Sequence, residues 1–229
     1  MSTRKGYDAE LKGINDRVET MGQQVLLAID RTIIALSKLD VIAANTIMKN
    51  DAMIDAMETD IEERCIQIVV KEAPIASDWR RLASYMRMIS DLERIADNCS
   101  DISIYIKRLA NMGKVSAPSH LQEAFSAMRQ MVADTVQAFH NEDVQLAEKV
   151  VKADDVIDDL FEKNVTDIRD AIKADVNSID QYMCYLFIDK YVERMADHVT
   201  SVASWISFIA KGELNIMFTD RYMKESSDT

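Results

Sequence analysis

Glu93 and Asp97 stand four residues apart, and Glu193 and Asp197 repeat that spacing in Glu93-Arg94-Ile95-Ala96-Asp97-Asn98 and Glu193-Arg194-Met195-Ala196-Asp197-His198. On a helix this spacing puts both carboxylates on one face, one turn apart. Two like charges so placed destabilise a bare helix by a few tenths of a kcal/mol, and a bound cation would remove that repulsion. One pair decides nothing: with 39 acids in 229 residues, roughly six or seven acid-xxx-acid matches arise by chance. Repetition in matching context carries more. Asp51 and Asp55, in Lys49-Asn50-Asp51-Ala52-Met53-Ile54-Asp55, match Asp154 and Asp158, in Lys152-Ala153-Asp154-Asp155-Val156-Ile157-Asp158. The first match is a shift of 103 positions (Asp51 to Asp154) and the second of 100 (Glu93 to Glu193), in the same order.

These acids flank apolar stripes. Leu92 and Ala96 lie on the buried side of their helix, which sets Glu93 and Asp97 at its flank, and Asp55 stands beside Ile54 in the same way. Flank positions of neighbouring helices face one another across a groove. Asp51, Asp55, Glu93 and Asp97 are therefore expected to converge, as are Asp154, Asp158, Glu193 and Asp197. Four carboxylates suit hard or intermediate divalent and trivalent ions: iron, Mn, Mg, Ca or Zn. The lack of Cys ligands argues against a structural zinc site. Asp101 would extend the first ladder by a turn and Asp189 the second, and His198 would add a nitrogen ligand where the first copy has Asn98. The bland alternative is that all these acids form solvated helix faces.

Helices must position them. Five Gly, two Pro and 14 Met in 229 residues is the composition of long helices with few turns. The apolar stripes predict six. Leu11, Ile14, Val18 and Met21 open the first from Asp8; Ile47 to Ile68 mark the second; Leu82 to Leu109 the third. Leu121 to Phe139 mark the fourth, Ala147 to Ala171 the fifth and Tyr182 to Ile209 the sixth. Pro74 ends the second helix, Ser77 and Asp78 supply N-cap chemistry for the third, and Gly212 can cap the sixth. The expected fold is all-α, two tandem three-helix bundles with an independent core each: residues 8–110 and 118–212, a linker at 111–117 and a C-terminal tail at 213–229. Met1–Tyr7 reads as a disordered start.

The net charge of −12 excludes direct nucleic-acid binding through a phosphate-contacting surface. Cys65, Cys99 and Cys184 have no CxxC spacing and read as reduced, buried thiols of a cytoplasmic protein. No apolar run reaches the length of a membrane span, so any membrane role is peripheral and through partners. The chain has no phosphate loop, GxGxxG, GxSxG or HExxH, and no catalytic residue or organic cofactor is assigned.

Leu92-Glu93-Arg94-Ile95-Ala96-Asp97, its copy at Val192–His198, Pro74-Ile75-Ala76-Ser77-Asp78-Trp79-Arg80 and Thr20-Met21-Gly22 resemble the PhoU family, the phosphate-specific transport system accessory proteins. The resemblance spans Asp8 to about Gly212. It implies a cytoplasmic, commonly dimeric six-helix protein that binds metal clusters through its acid-xxx-acid pairs. It implies a negative regulator of the phosphate-starvation response, an adaptor between the ATPase subunit of a phosphate ABC transporter and a sensor histidine kinase. Two departures stand out: Ala96 and Ala196 replace the family's usual Gly, and Asn98 its frequent His. They imply a first site that binds metal differently from the second. The alternative from another class is a metal-dependent hydrolase or ion-storage protein built on the carboxylate clusters, although di-iron bundles use a Glu-x-x-His spacing that neither motif has.

Overall fold

The computed structural model describes residues 2–113 and 115–212, with side chains from Gly6 onward. Six helices run α1 Ser2–Lys38, α2 Val41–Glu72, α3 Ala76–Ala110, α4 Leu121–Asn141, α5 Val144–Ala174 and α6 Ile179–Lys211. A 3-10 turn at Val176–Ser178 joins the last two. The expected stripes are the buried faces: every residue of the third stripe, from Leu82 through Ile89, Ala96 and Ile102 to Leu109, is buried.

Three local expectations change. Helix α1 begins at Ser2 rather than Asp8, and Tyr7 packs against the core, so the polar first turns are helical. Helix α3 starts at Ala76, earlier than its cap chemistry suggested: Ile75 is the N-cap and makes no side-chain cap bond. Ser77 and Asp78 fall within the first turn, where Asp78 favours the positive end of the helix dipole. The tail at 213–229 lies outside the described residues.

The repeat extends to the backbone of the turns. Leu39 and Glu142, at matching positions, both adopt left-handed conformations (φ 52° and 51°). Asp40 N then donates to Ala35 O at 2.9 Å and Asp143 N to Ala138 O at 2.8 Å, closing α1 and α4 alike. The same two aspartates cap the next helices: Asp40 accepts from Ile42 N and Ala43 N, Asp143 from Leu146 N.

The halves do not keep separate cores. Buried residues of all six helices form one continuous cluster. Helix α3 packs along α6 and α1 crosses α4, while α2 and α5 flank the assembly and do not touch each other among the described residues. At the α1–α4 crossing Gly22 lets the backbones approach; a Cβ there would stand 2.9 Å from Val136 Cγ2. Arg129 and Asp30 pair across the same crossing.

Candidate metal centre

Helices α2 and α3 bring the first acid set together. Asp51, Asp55 and Asp97 each offer a carboxylate oxygen within 4.8 Å of the others, and among the described residues this is the group with that geometry. Asp97 is held at the flank because Ala96 and Ile95 are buried beside it. Glu93 lies at the edge of the set. Burial, then Asp97, Glu58 and Asp55, push its pKa up to about 7. Asp51 is raised above the usual carboxylate range, first by burial and then by Asp97, Asp55 and Asp101. Asp101, the expected extra rung, thus borders the cluster. Glu58 also belongs to it and is raised by burial and by Glu62. It follows Asp55 by three residues, a spacing that shares a helix face as readily as four, and that was the available signal. The donor set therefore fits a cation: oxygen ligands only, crowded and partly desolvated, with Arg94 Nε 3.7 Å from Glu93 at its margin.

The second set is arranged differently. Asp154 is buried, Asp158 and Asp197 are half-buried on facing helices, and each has interactions of its own. Glu193 carries an ion pair from Lys190 Nζ at 2.6 Å. Asp189 does not continue the ladder on the surface. It is 1% exposed and accepts a hydrogen bond from Asn164 Nδ2 at 3.0 Å, inside the α5–α6 packing. Asn164 Oδ1 in turn accepts from His120 N at 3.1 Å, at the start of α4. Burial pushes the Asp189 pKa up to about 7, Asn164 opposes the shift and Glu193 adds to it.

His198 serves another purpose. Its Nδ1 lies 3.0 Å from Asp91 Oδ1, and Ser201 Oγ donates to Asp91 Oδ2 at 2.5 Å. The trio ties α6 to α3. The sequence offered no sign of it, since Asp91 lies more than a hundred positions away. The counterpart Asn98 is buried, with its Nδ2 unpartnered. Cys65, Cys99 and Cys184 are free and buried. No helix among the described residues is long and apolar enough to cross a membrane.

The PhoU domain model matches this chain twice, at residues 18–106 and 121–206, once per three-helix unit. The chain belongs to the PhoU family. A PhoU homologue of Burkholderia sp., a phosphate-specific transport system accessory protein, is 31% identical over 213 residues, covering 90% of this chain and 89% of the relative. The homologue of Borreliella burgdorferi is 31% identical over 218 residues, covering 92% and 97%. Among solved structures, PhoU from Pseudomonas aeruginosa superposes with a TM-score of 0.87 at 25% identity, covering 90% of this chain and all of that one (100%). The phosphate transport system regulatory protein PhoU from Streptococcus pneumoniae gives 0.84 at 26%, covering 91% and 98%. Both PhoU units of the chain present their acid motifs on corresponding helices, α2 with α3 and α5 with α6.

Proposed function

We propose that this PhoU-family chain is a non-enzymatic negative regulator of phosphate uptake and of the phosphate-starvation response. It acts in the cytoplasm, as a homodimer, and adapts the ATPase subunit of a phosphate ABC transporter to a sensor histidine kinase. The relatives' names, accessory and regulatory proteins of phosphate transport, support the pathway. The observation that carries the site is the convergence of Asp51, Asp55 and Asp97. Those three, with Glu93, Glu58 and Asp101 at the margin, would hold a divalent or trivalent ion such as iron, Mn, Mg or Zn. The ion would supply positive charge to a crowded acidic groove and turn it into a contact surface for a partner's acids or for phosphate oxygens.

Deleting the gene is expected to raise alkaline phosphatase expression in phosphate-rich medium; unchanged repression would overturn the regulatory role. For the ion, protein stripped by chelator and reloaded should hold metal by elemental analysis. Asp55→Ala plus Asp97→Ala should weaken its retention by about tenfold or more. Equal retention in the double variant would remove the site.

A further inference from the structure

The two acid grooves differ at two matching positions, and the two changes meet. Glu58 of α2 corresponds to Phe161 of α5 by the shift of 103, and Ser90 of α3 to Lys190 of α6 by the shift of 100. In the first repeat the Ser90 hydroxyl donates to the Glu58 carboxylate. In the second, Lys190 Nζ lies 2.6 Å from Glu193 Oε2 and 5.4 Å from the centre of the Phe161 ring. Glu193 Oε2 is buried and makes no directed hydrogen bond, so charge holds this contact. The ammonium therefore has two partners that favour a cation, a partly desolvated carboxylate and the face of an aromatic ring.

Charge separates the grooves in the same direction. The first gathers Asp51, Asp55, Glu58, Glu93 and Asp97. Its paired cation is Arg94, whose Nε comes no nearer than 3.7 Å to Glu93 on a side chain 59% exposed. The second set has one acid fewer, Asp154, Asp158, Glu193 and Asp197, and it includes the Lys190 ammonium. Among the described residues, three carboxylates approach within 4.8 Å of one another in the first set. The PhoU resemblance implies metal at both sets; the residues of the second do not fit it.

We propose that the second acid set is filled by a side chain of its own: the Lys190 ammonium, seated against Phe161, stands where a metal ion would, and ion binding is confined to the first set. A tethered cation acts at an effective concentration in the millimolar range. A divalent ion would have to expel it from Glu193 and then remain beside a like charge. Phe161 also withholds the carboxylate that Glu58 adds to the first groove. One repeat would thus change its charge with the metal supply while the other keeps a fixed charge. The inference deepens the metal reading of the first set and rests on it.

The test is retention of Mn²⁺ by the full chain, stripped by chelator, reloaded, desalted and measured by elemental analysis. The first set is disabled by Asp55→Ala plus Asp97→Ala. With Lys190 and Phe161 in place, the disabled chain should hold less than about a tenth of the parent's Mn²⁺. Adding Lys190→Ser plus Phe161→Glu, the residue types of the first repeat, should raise its retention by about tenfold or more. The reciprocal exchange in the otherwise unaltered chain, Ser90→Lys plus Glu58→Phe, should lower retention by about tenfold. Lys190 is 49% exposed, and thermal melting checks each variant; Lys190→Ser alone serves if the double exchange fails to fold. Mn²⁺ held by the disabled chain with Lys190 in place overturns the proposal, as does an exchange that restores nothing. A parent that holds no Mn²⁺ while the exchanged chain does would remove the first site and leave this inference standing.

Discussion

Ile61 of α2 and Ile89 of α3 both belong to the core of the first repeat, each 1% exposed. The matching positions of the second repeat hold Asn164 and Asp189, as deeply buried, at 0% and 1%. One fold has thus solved the same packing position twice, once with an apolar pair and once with a polar one. The apolar pair asks only for shape. The polar pair must satisfy its groups, and it does so only in part: a chain runs from His120 N through Asn164 to Asp189 Oδ1, while Asp189 Oδ2 is buried without a hydrogen-bond partner. That chain reaches the start of α4, where His120 offers no side-chain cap. The second repeat is therefore tied to the linker by hydrogen bonds for which the first has no equivalent at this position, and the tie depends on protonation.

Replacing Asn164 should break this comparison most severely. Asn164→Ala leaves His120 N and a buried carboxylate unpaired, and a loss of about 2–4 kcal/mol is expected from urea denaturation near pH 8. The loss should shrink below pH ~7, where Asp189 takes up a proton. A loss that does not change with pH would mean that Asp189 is not charged there.

Asp189→Asn tests the same chain from its other end. With a folded pKa raised from 3.8 to about 7, Asp189 holds a proton in the native state that the unfolded chain releases. Its ionisation therefore costs stability as pH rises from about 4 through 7, and the cost is complete above 7. The neutral amide escapes it, so the variant should be more stable than the parent at pH 8 by roughly 1–2 kcal/mol and nearly matched to it at pH 4. A parent and variant whose stabilities run parallel across that range would refute the assignment.

The smallest effect belongs to the apolar pair. Ile61→Val should cost about 1 kcal/mol, equally at pH 5 and pH 8, because nothing at that position titrates. A marked pH dependence would mean that the two repeats are less different than they look.

Much of this was legible in the residues. The stripes gave the helices because apolar periodicity over thirty residues leaves few alternatives: Ile47, Ile54, Ile61, Cys65 and Ile68 are all buried where the pattern puts them. The start of α1 was hidden, since its polar first turns carry no stripe, and tertiary packing of Tyr7 holds them instead. The single core was hidden too, because a stripe shows that a face is buried and not against what. For the site, spacing found Asp51, Asp55 and Asp97. It could not separate Asp189 or His198 from the ladder, since their roles depend on the register of α6 against α5 and α3. Asn164 takes a buried position of α5 between Leu160 and Ile168, and its partner Asp189 lies on the next helix.

Along the seam each helix meets its own copy: α3 lies against α6, and α1 against α4. Such a contact is the intramolecular form of an isologous interface, the self-complementary kind that a twofold axis generates between identical subunits. A chain of one repeat would present the same surfaces and would pair with itself. Joining the copies in one chain released them from symmetry. A duplicated half could then exchange isoleucines for an asparagine–aspartate pair, or a glutamate for a phenylalanine, without imposing the change on both sides of the axis.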